Sequence, residues 1–403
     1  MSGRFVRSVR VAAVAAGTAL AVAAPPPHAV ADPGERSVQT LLTRLQTLYR
    51  EAEQASEAYN ATAVELKDQR RKVRVLGSRL VRARIRLADG RDHAGRLARE
   101  QYQDSTGGLS PYLRMALSRE PQGALDQAHL IRRAADTRRA TVLRLSAGER
   151  RLDGLATRAR TALDRQQTLA ARKLRQREAV RLQLDAVERT LISLSPAELA
   201  AVGKLERSRV AAAQRALLRS GTLRPASVRK PSAAGARAIS YAVAQLGKPY
   251  VWGAEGPRAF DCSGLTSQAW AHAGRAIPRT SQLQWRRLQK VPLRELRPGD
   301  LVVYFKDATH VAIYIGNGKV VQAPRPGARI KVSPIAANPL LGAVRPDTSD
   351  KALTAYSLPD LPTGAASGSD TGYSLPTGPD HASVPGTSED EDEDDGMPET
   401  APA

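Results

Sequence analysis

From Leu41 the apolar positions advance in alternating steps of four and three residues, through Leu45, Leu48, Ala52, Ala55, Tyr59, Thr62, Leu66, Gln69, Val73, Leu76, Leu80, Ala83 and Leu87. This is a heptad seam with polar slips at Thr62 and Gln69, and it predicts a long helix packed against another. The seam breaks at Ser105-Thr-Gly-Gly-Leu-Ser-Pro111, and a shorter helical piece precedes Glu120-Pro-Gln-Gly123. Helical spacing resumes through Val142, Leu145, Leu152, Ala156, Ala159 and Leu163 and runs to about Ser220. Two long helices around a broken tip predict an antiparallel coiled-coil hairpin over residues 36–220.

Beyond the hairpin the periodicity stops. Residues 221–234 carry Pro225, Pro231, serines and arginines without a repeat, the composition of a linker. Residues 235–346 mix periods. Ala236–Leu246 and Cys262–Ala273 read as helices, whereas Leu301–Phe305, His310–Ile315 and Val320–Ala323 read as consecutive strands. An α+β domain is expected there. Residues 347–403 are rich in Ser, Thr, Pro and Gly and include the acidic run Glu389–Asp395, a composition that cannot bury enough apolar surface to fold. They are expected to be a disordered tail.

Composition sharpens this division. The chain has 403 residues but only three Phe and three Trp, and its middle is dominated by Ala, Leu, Arg and Glu, so its mass does not measure a core. At the N-terminus, basic residues from Arg4 to Arg10 precede an apolar run, Val11–Ala24, and Ala29-Val-Ala31 stands before Asp32. That run is shorter than the roughly 20 residues a spanning helix needs, so residues 1–31 are expected to be a signal peptide cleaved before Asp32. The net charge is +21 although the tail is acidic. In an exported chain such a charge finds anionic wall polymers or lipid headgroups. Without aromatic residues interleaved among the arginines, nucleic acid is not the expected partner.

A single cysteine in an exported chain rules out an internal disulfide and leaves a buried thiol or a reactive one. Cys262 lies in Phe260-Asp-Cys-Ser-Gly-Leu265, at the expected start of a helix, where free amides and the positive end of the dipole favour thiolate and could hold an oxyanion. Placement alone suits a nucleophile and a small buried hydrophobe equally. A base must then be found among six histidines. His28, His93, His129 and His381 fall outside the domain, and His272 stands about 15 Å along the helix that begins at Cys262. His310, opening a strand, is left as the candidate base. Gln322 could orient its imidazole through the second ring nitrogen, provided the turn at Gly316-Asn-Gly318 sets the register. A three-residue turn with a bulge puts Gln322 opposite Ala312 and beside His310; a two-residue turn points it to the other face. Two histidines and one cysteine make no usual zinc site, the acidic tail lacks EF-hand spacing, and no phosphate-binding glycine loop appears, so no metal and no cofactor are expected.

Five stretches together resemble the NlpC/P60 family of cell-wall peptidases: Leu246-Gly-Lys-Pro-Tyr-Val-Trp-Gly253, Asp261-Cys-Ser-Gly-Leu265, Pro278-Arg-Thr-Ser281, Pro298-Gly-Asp-Leu301 and His310-Val-Ala-Ile-Tyr-Ile-Gly316. The resemblance covers residues 235–346 and implies a papain-like α+β fold. It implies that Cys262 is the nucleophile and His310 the base, with Gln322 where the family often has histidine. It also implies that Tyr250 lies near the oxyanion and that Asp261 and Ser263 line the substrate. Read as plain sequence, these three are a core tyrosine and two helix-cap residues. Trp252 and Arg279 read as a packing residue and a surface ion pair. The implied activity is a secreted D,L-endopeptidase cutting the γ-D-glutamyl bond to the diamino acid of peptidoglycan stem peptides. An amidase or acyl transferase with the same Cys-His pair, or a non-catalytic wall-binding scaffold, are the alternatives. For the hairpin, a spacer with a solvated basic face, a docking site for a membrane or division partner, and a restraint on the enzyme all remain open.

Overall fold

The computed structural model describes residues 33–106, 121–223 and 229–367, together with Leu113 and Ala116. The expected signal peptide, most of the hairpin tip, residues 224–228 of the linker and the acidic run lie outside them.

The heptad seam becomes α1 (Pro33–Thr106), a helix of 74 residues and so about 110 Å long. It packs against α2 (Pro121–Ile192). Gln69 donates to the Ala162 carbonyl and Arg91 pairs with Glu149, so the two run antiparallel. The seam residues Leu45, Ala52, Tyr59, Leu66, Ala83 and Leu87 are buried, as are Leu155, Ala162, Leu169, Val180 and Val187 of α2.

The second helix does not continue to Ser220. It stops at Ile192, and α3 (Pro196–Arg219) starts afresh. Pro196 cannot donate a backbone hydrogen bond, and Ser195 and Glu198 cap each other's exposed amides in a capping box. This break lets α3 fold back: Val202 joins Leu42, Leu45, Tyr49, Val187 and Leu191 in one cluster at the base of the hairpin.

The domain that follows is α+β. Helices α4 (Ala233–Val243), α5 (Cys262–His272) and α6 (Ser281–Arg287) accompany a six-stranded antiparallel sheet. Its strands are β1 (Gln289–Val291), β2 (Leu301–Tyr304), β3 (His310–Gly316), β4 (Lys319–Gln322), β5 (Lys331–Pro334) and β6 (Leu340–Arg345), in the order β1-β6-β2-β3-β4-β5. Alternation along the central strands divides the core. Leu301, Val303, Val311, Ile313 and Val321 pack with Ile239, Leu265 and Trp270 of α4 and α5. Val302, Tyr304, Ala312, Tyr314 and Val320 form a second cluster, against which Leu217 and Leu223 lie. The base of the hairpin therefore covers a face of the sheet, where Gln214 bonds both the Gly318 carbonyl and the Ala336 amide.

The domain also extends past Pro346, where its end was expected. Residues 347–367 form a strap: the Leu353 amide donates to the Pro231 carbonyl and the Val332 amide to that of Ala365, both at 2.8 Å. Asp347 pairs with Arg297 at 2.9 Å, and Tyr356, Leu358, Leu361 and Ala365 pack on the core. Low aromatic content hid this, because a few well-placed apolar residues suffice when the surface they cover already exists.

Candidate active site

Cys262 is the first residue of α5, and Asp261 is its N-cap, accepting from the Gly264 amide at 2.6 Å. Gly264 is required by a close approach, since a Cβ there would collide with the Ala254 carbonyl oxygen. The cysteine is thus fixed at a helix N-terminus by the loop that precedes it.

The opposing group comes from the β3–β4 hairpin. His310 Nε2 lies 2.7 Å from Gln322 Oε1, and both residues are fully buried. An amide oxygen can only accept, so Nε2 carries the proton and Nδ1 presents the lone pair a base needs. Asn317 and Gly318 both have positive φ, the signature of a two-residue turn, and by that turn alone Gln322 would face away. The register nevertheless shifts between Tyr314 and Gly316, with Ile313 opposite Val321. That bulge in β3 restores the pairing that puts Gln322 beside His310.

Tyr250 is buried, and the burial raises its phenol well above its usual range, with the charges of Cys262 and Asp261 adding to the effect. Asp261 is more than a cap: its carboxylate also accepts from the Gly253 amide at 2.9 Å and from both terminal nitrogens of Arg279, at 3.0 and 2.6 Å. Arg279 is not the surface pair expected of it. Its side chain is only 9% exposed, and it additionally donates to Ser263 Oγ at 2.8 Å and to Glu255 at 2.7 Å. Burial opposes its charge, but Asp261 outweighs burial and its pKa rises. Trp252 packs as expected, edge-on to Tyr59 of α1 with centroids 4.9 Å apart. His272 lies at the far end of α5, stacked on Tyr241.

What lies over the site has no signal in the sequence. A polar stripe of α1, Glu53, Glu57 and Asn60, is buried against it. Glu57 Oε1 accepts from Ser263 Oγ at 2.7 Å and lies 3.8 Å from the Cys262 sulfur, while Oε2 accepts from the Ser281 amide at 3.1 Å. Asn60 donates to Asp261 at 3.0 Å. Glu53 Oε1 is 3.3 Å from His310 Nδ1, the nitrogen that would receive the thiol proton. Spaced at i, i+4 and i+7, these three share one helix face, yet polar residues there read as a solvated surface.

The electrostatics of this arrangement oppose catalysis. Burial and then the carboxylates of Glu57, Asp261 and Glu53 push the Cys262 thiol well above its usual range, with Arg279 countering only in part. Burial, then Asp261, raises Glu57 to about 8. His310 is raised because Glu53 and Gln322 favour its charged form by more than burial disfavours it. This arrangement favours the thiol over the thiolate, and Nδ1 of His310 faces Glu53. Among the described residues no cluster of three or more His, Cys, Asp or Glu could hold a metal.

Residues 247–342 match the NlpC/P60 family. Over 122 residues the chain is 43% identical to a probable endopeptidase of Corynebacterium glutamicum, a match covering 30% of this chain and 58% of that protein. The chain thus spans little more than half the length of that relative. Among solved structures it is 33% identical to the NlpC/p60 domain of the peptidoglycan hydrolase SagA, covering 28% of this chain and 97% of that one with a TM-score of 0.26. It is 32% identical to RipD of Mycobacterium tuberculosis, described as a non-catalytic NlpC/p60 protein adapted to peptidoglycan binding, covering 28% and 96% with a TM-score of 0.26. With Cys262 at a helix N-terminus, His310 held by Gln322 and the family match spanning both Cys262 and His310, the chain belongs, through this domain, to the NlpC/P60 family.

Proposed function

We propose that the chain is an exported peptidoglycan hydrolase, a D,L-endopeptidase that cuts between the γ-D-glutamyl residue and the diamino acid of wall stem peptides. The single observation that carries this reading is the pairing of His310 with Gln322 through Nε2, which leaves Nδ1 to serve a thiol held at the start of α5 once Glu53 is withdrawn from it. With the cleft open, His310 takes the Cys262 proton at Nδ1 and the thiolate attacks the γ-carbonyl carbon. Amides at the α5 N-terminus, with Tyr250 beside them, hold the oxyanion. The C–N bond breaks as His310 returns the proton to the departing amine, leaving a thioester on Cys262. Water, deprotonated by the same imidazole, then releases the carboxylic acid and the thiol.

Substrate preference follows from the donors around the sulfur. Ser263 Oγ and the Ser281 amide hold a carboxyl group here, that of Glu57, with Arg279 nearby. A γ-linked glutamate would offer its free α-carboxylate to these same donors. Asp261 would take an amine or amide from the preceding residue. The basic helices would hold the enzyme on anionic wall polymers.

Purified wall incubated with the full chain, with a variant whose α1 contacts are removed, and with Cys262→Ala provides the test, read by mass spectrometry of the released peptides. Fragments ending in γ-D-glutamate, absent with Cys262→Ala, are expected. Release of fragments cut at a sugar–peptide amide would identify an amidase, and wall binding without release by any chain would identify a scaffold.

A further inference from the structure

We propose that one edge of the α1–α2 hairpin is a docking groove for a linear polyol-phosphate polymer, held between two facing rows of basic side chains. This rests on the reading of the chain as a wall-acting protein and names what its basic helices hold.

Buried seam residues fix the heptad register of both helices. Leu66, Ala83 and Leu87 of α1 are buried, as are Thr141, Leu155, Ala162 and Leu169 of α2. Val73, Leu80, Leu87 and Ala94 are then equivalent core positions of α1, and Leu145, Leu152 and Ala159 those of α2. The residues just before them line one shared edge of the antiparallel pair. On α1 this edge reads Lys72, Arg79, Arg86 and His93, and on α2 Arg144, Arg151 and Arg158. One heptad nearer the base, the same edge carries Glu65 and Arg165, which pair across the seam. The opposite edge also pairs acid with base, Arg91 with Glu149. Beyond Glu65, cation faces cation for about 30 Å, and among the described residues none of these six cations is in an ion pair. Facing like charges destabilise a helix pair, and an anion lying between the rows would reverse the sign.

Space for such an anion is present. Gly90 and Gly148 stand at core positions, so the seam has no side chain there, and a Cβ at either would lie 3.2 Å from Leu145 or Leu87. Beside them runs a groove of about 580 Å³ lined by Arg86, His93, Arg144 and Arg151. Arg144 is steadied by donating to Thr141 Oγ1 at 3.2 Å. The cations recur every seven residues, about 10 Å along each helix, which suits a linear polymer with repeating charge. A phosphodiester keeps its charge in acid and offers two oxygens to a guanidinium fork. A lipid surface would need apolar side chains beside the cations, but the exposed Val81, Ile85 and Leu143 stand on the outer backs of the helices, away from this edge. Nucleic acid would need aromatic rings for its bases, and neither Lys72–His93 nor Arg144–Arg158 contains Phe, Tyr or Trp. A chain of phosphodiesters without bases or acyl tails fits the edge best.

Calorimetric binding of a synthetic glycerol-phosphate oligomer to the full-length chain tests this, in physiological salt, where isolated surface charges are largely screened. Arg86→Glu and Arg151→Glu each reverse a charge in the groove, while Arg150→Glu makes the same change in net charge on the back of α2. The two groove variants should bind at least about tenfold more weakly, through loss of a charge-assisted contact, and Arg150→Glu within about twofold of wild type. Without the oligomer the groove variants should melt no lower than wild type, because each sets an acid against the opposite row. Absence of binding by wild type overturns the proposal, as does equal weakening in all three variants. A lower melting transition in both groove variants overturns it too, since the arginines would then serve the hairpin's own packing. Equal affinity for poly-L-glutamate overturns the choice of phosphate. Wall hydrolysis is read separately through Cys262: a groove that fails leaves the peptidase standing, and oligomer binding by a chain that releases no peptide leaves the groove standing.

Discussion

At the scale of single residues the third member of the proposed catalytic group is an amide. Gln322 carries no charge of its own and favours the imidazolium through one hydrogen bond only, so its main contribution is positional. In a chain released from α1, Gln322→Ala should lower kcat by about tenfold to a hundredfold with little change in KM, and Gln322→His should restore it. A change confined to KM would count against the role. Glu57 gives a second expectation, in pH. Its pKa is about 8 when docked against the ordinary 4.5, and a raised pKa means the docked state binds the extra proton. Docking should be strongest below pH 4.5 and weaken as pH rises towards 8. Asp261, Arg279, Ser263 and Ser281 face this carboxylate from the domain, with Cys262, Tyr250 and, from α1 itself, Glu53 nearby. The ratio of wild-type to Glu57→Gln alkylation rates cancels the titration of the thiol and should climb across that window. A flat ratio would show that Glu57 does not govern docking. Cys262 and His310 were legible because few residues of their types exist to choose from. Arg279 was not, because an arginine beside a proline carries no sign of the Asp261 it will meet.

At the scale of elements, position is set by backbone devices that sequence shows unevenly. The start of α5 depends on Gly264, where any side chain meets Ala254. Gly264→Ala should destabilise the domain by about 1–3 kcal/mol, read in denaturant, and lower activity by displacing the sulfur. Unchanged stability would mean the loop gives way without cost. The β3–β4 hairpin holds a subtler lesson. Asn317-Gly318 announces a turn, and Gly316, at φ 102°, ends the bulge that decides which face Gln322 shares, but a glycine before a turn does not by itself choose between the two registers. The central strands could be read from their apolar sequences, whereas β1 and β5 carry short sequences with polar residues, and their strand character comes from pairing. The α2–α3 break could have been found, since Ser195-Pro-Ala-Glu198 states a helix start outright.

At the scale of the whole molecule, the hairpin and the domain could be named separately from sequence, but not their contact. A heptad seam describes how α1 meets α2, and Glu53, Glu57 and Asn60 belong to a different face whose partner lies some two hundred residues along. The strap is a similar case: its apolar residues become informative only once the core they cover is folded. A chain ending at Pro346 should melt several degrees below one ending at Ser367, because the strap anchors to Pro231, Arg297 and Val332 would be lost. Equal melting would reduce the strap to decoration. The account stands or falls on a covalent step at Cys262, which intact-mass analysis can observe. A chain released from α1 by Tyr59→Ala is mixed with the L-Ala-γ-D-Glu-diamino acid tripeptide and quenched in acid during turnover. Cys262 is expected to carry the L-Ala-γ-D-Glu acyl group as a thioester, with free diamino acid released into solution. Turnover that persists in the same chain with Cys262→Ala would contradict it.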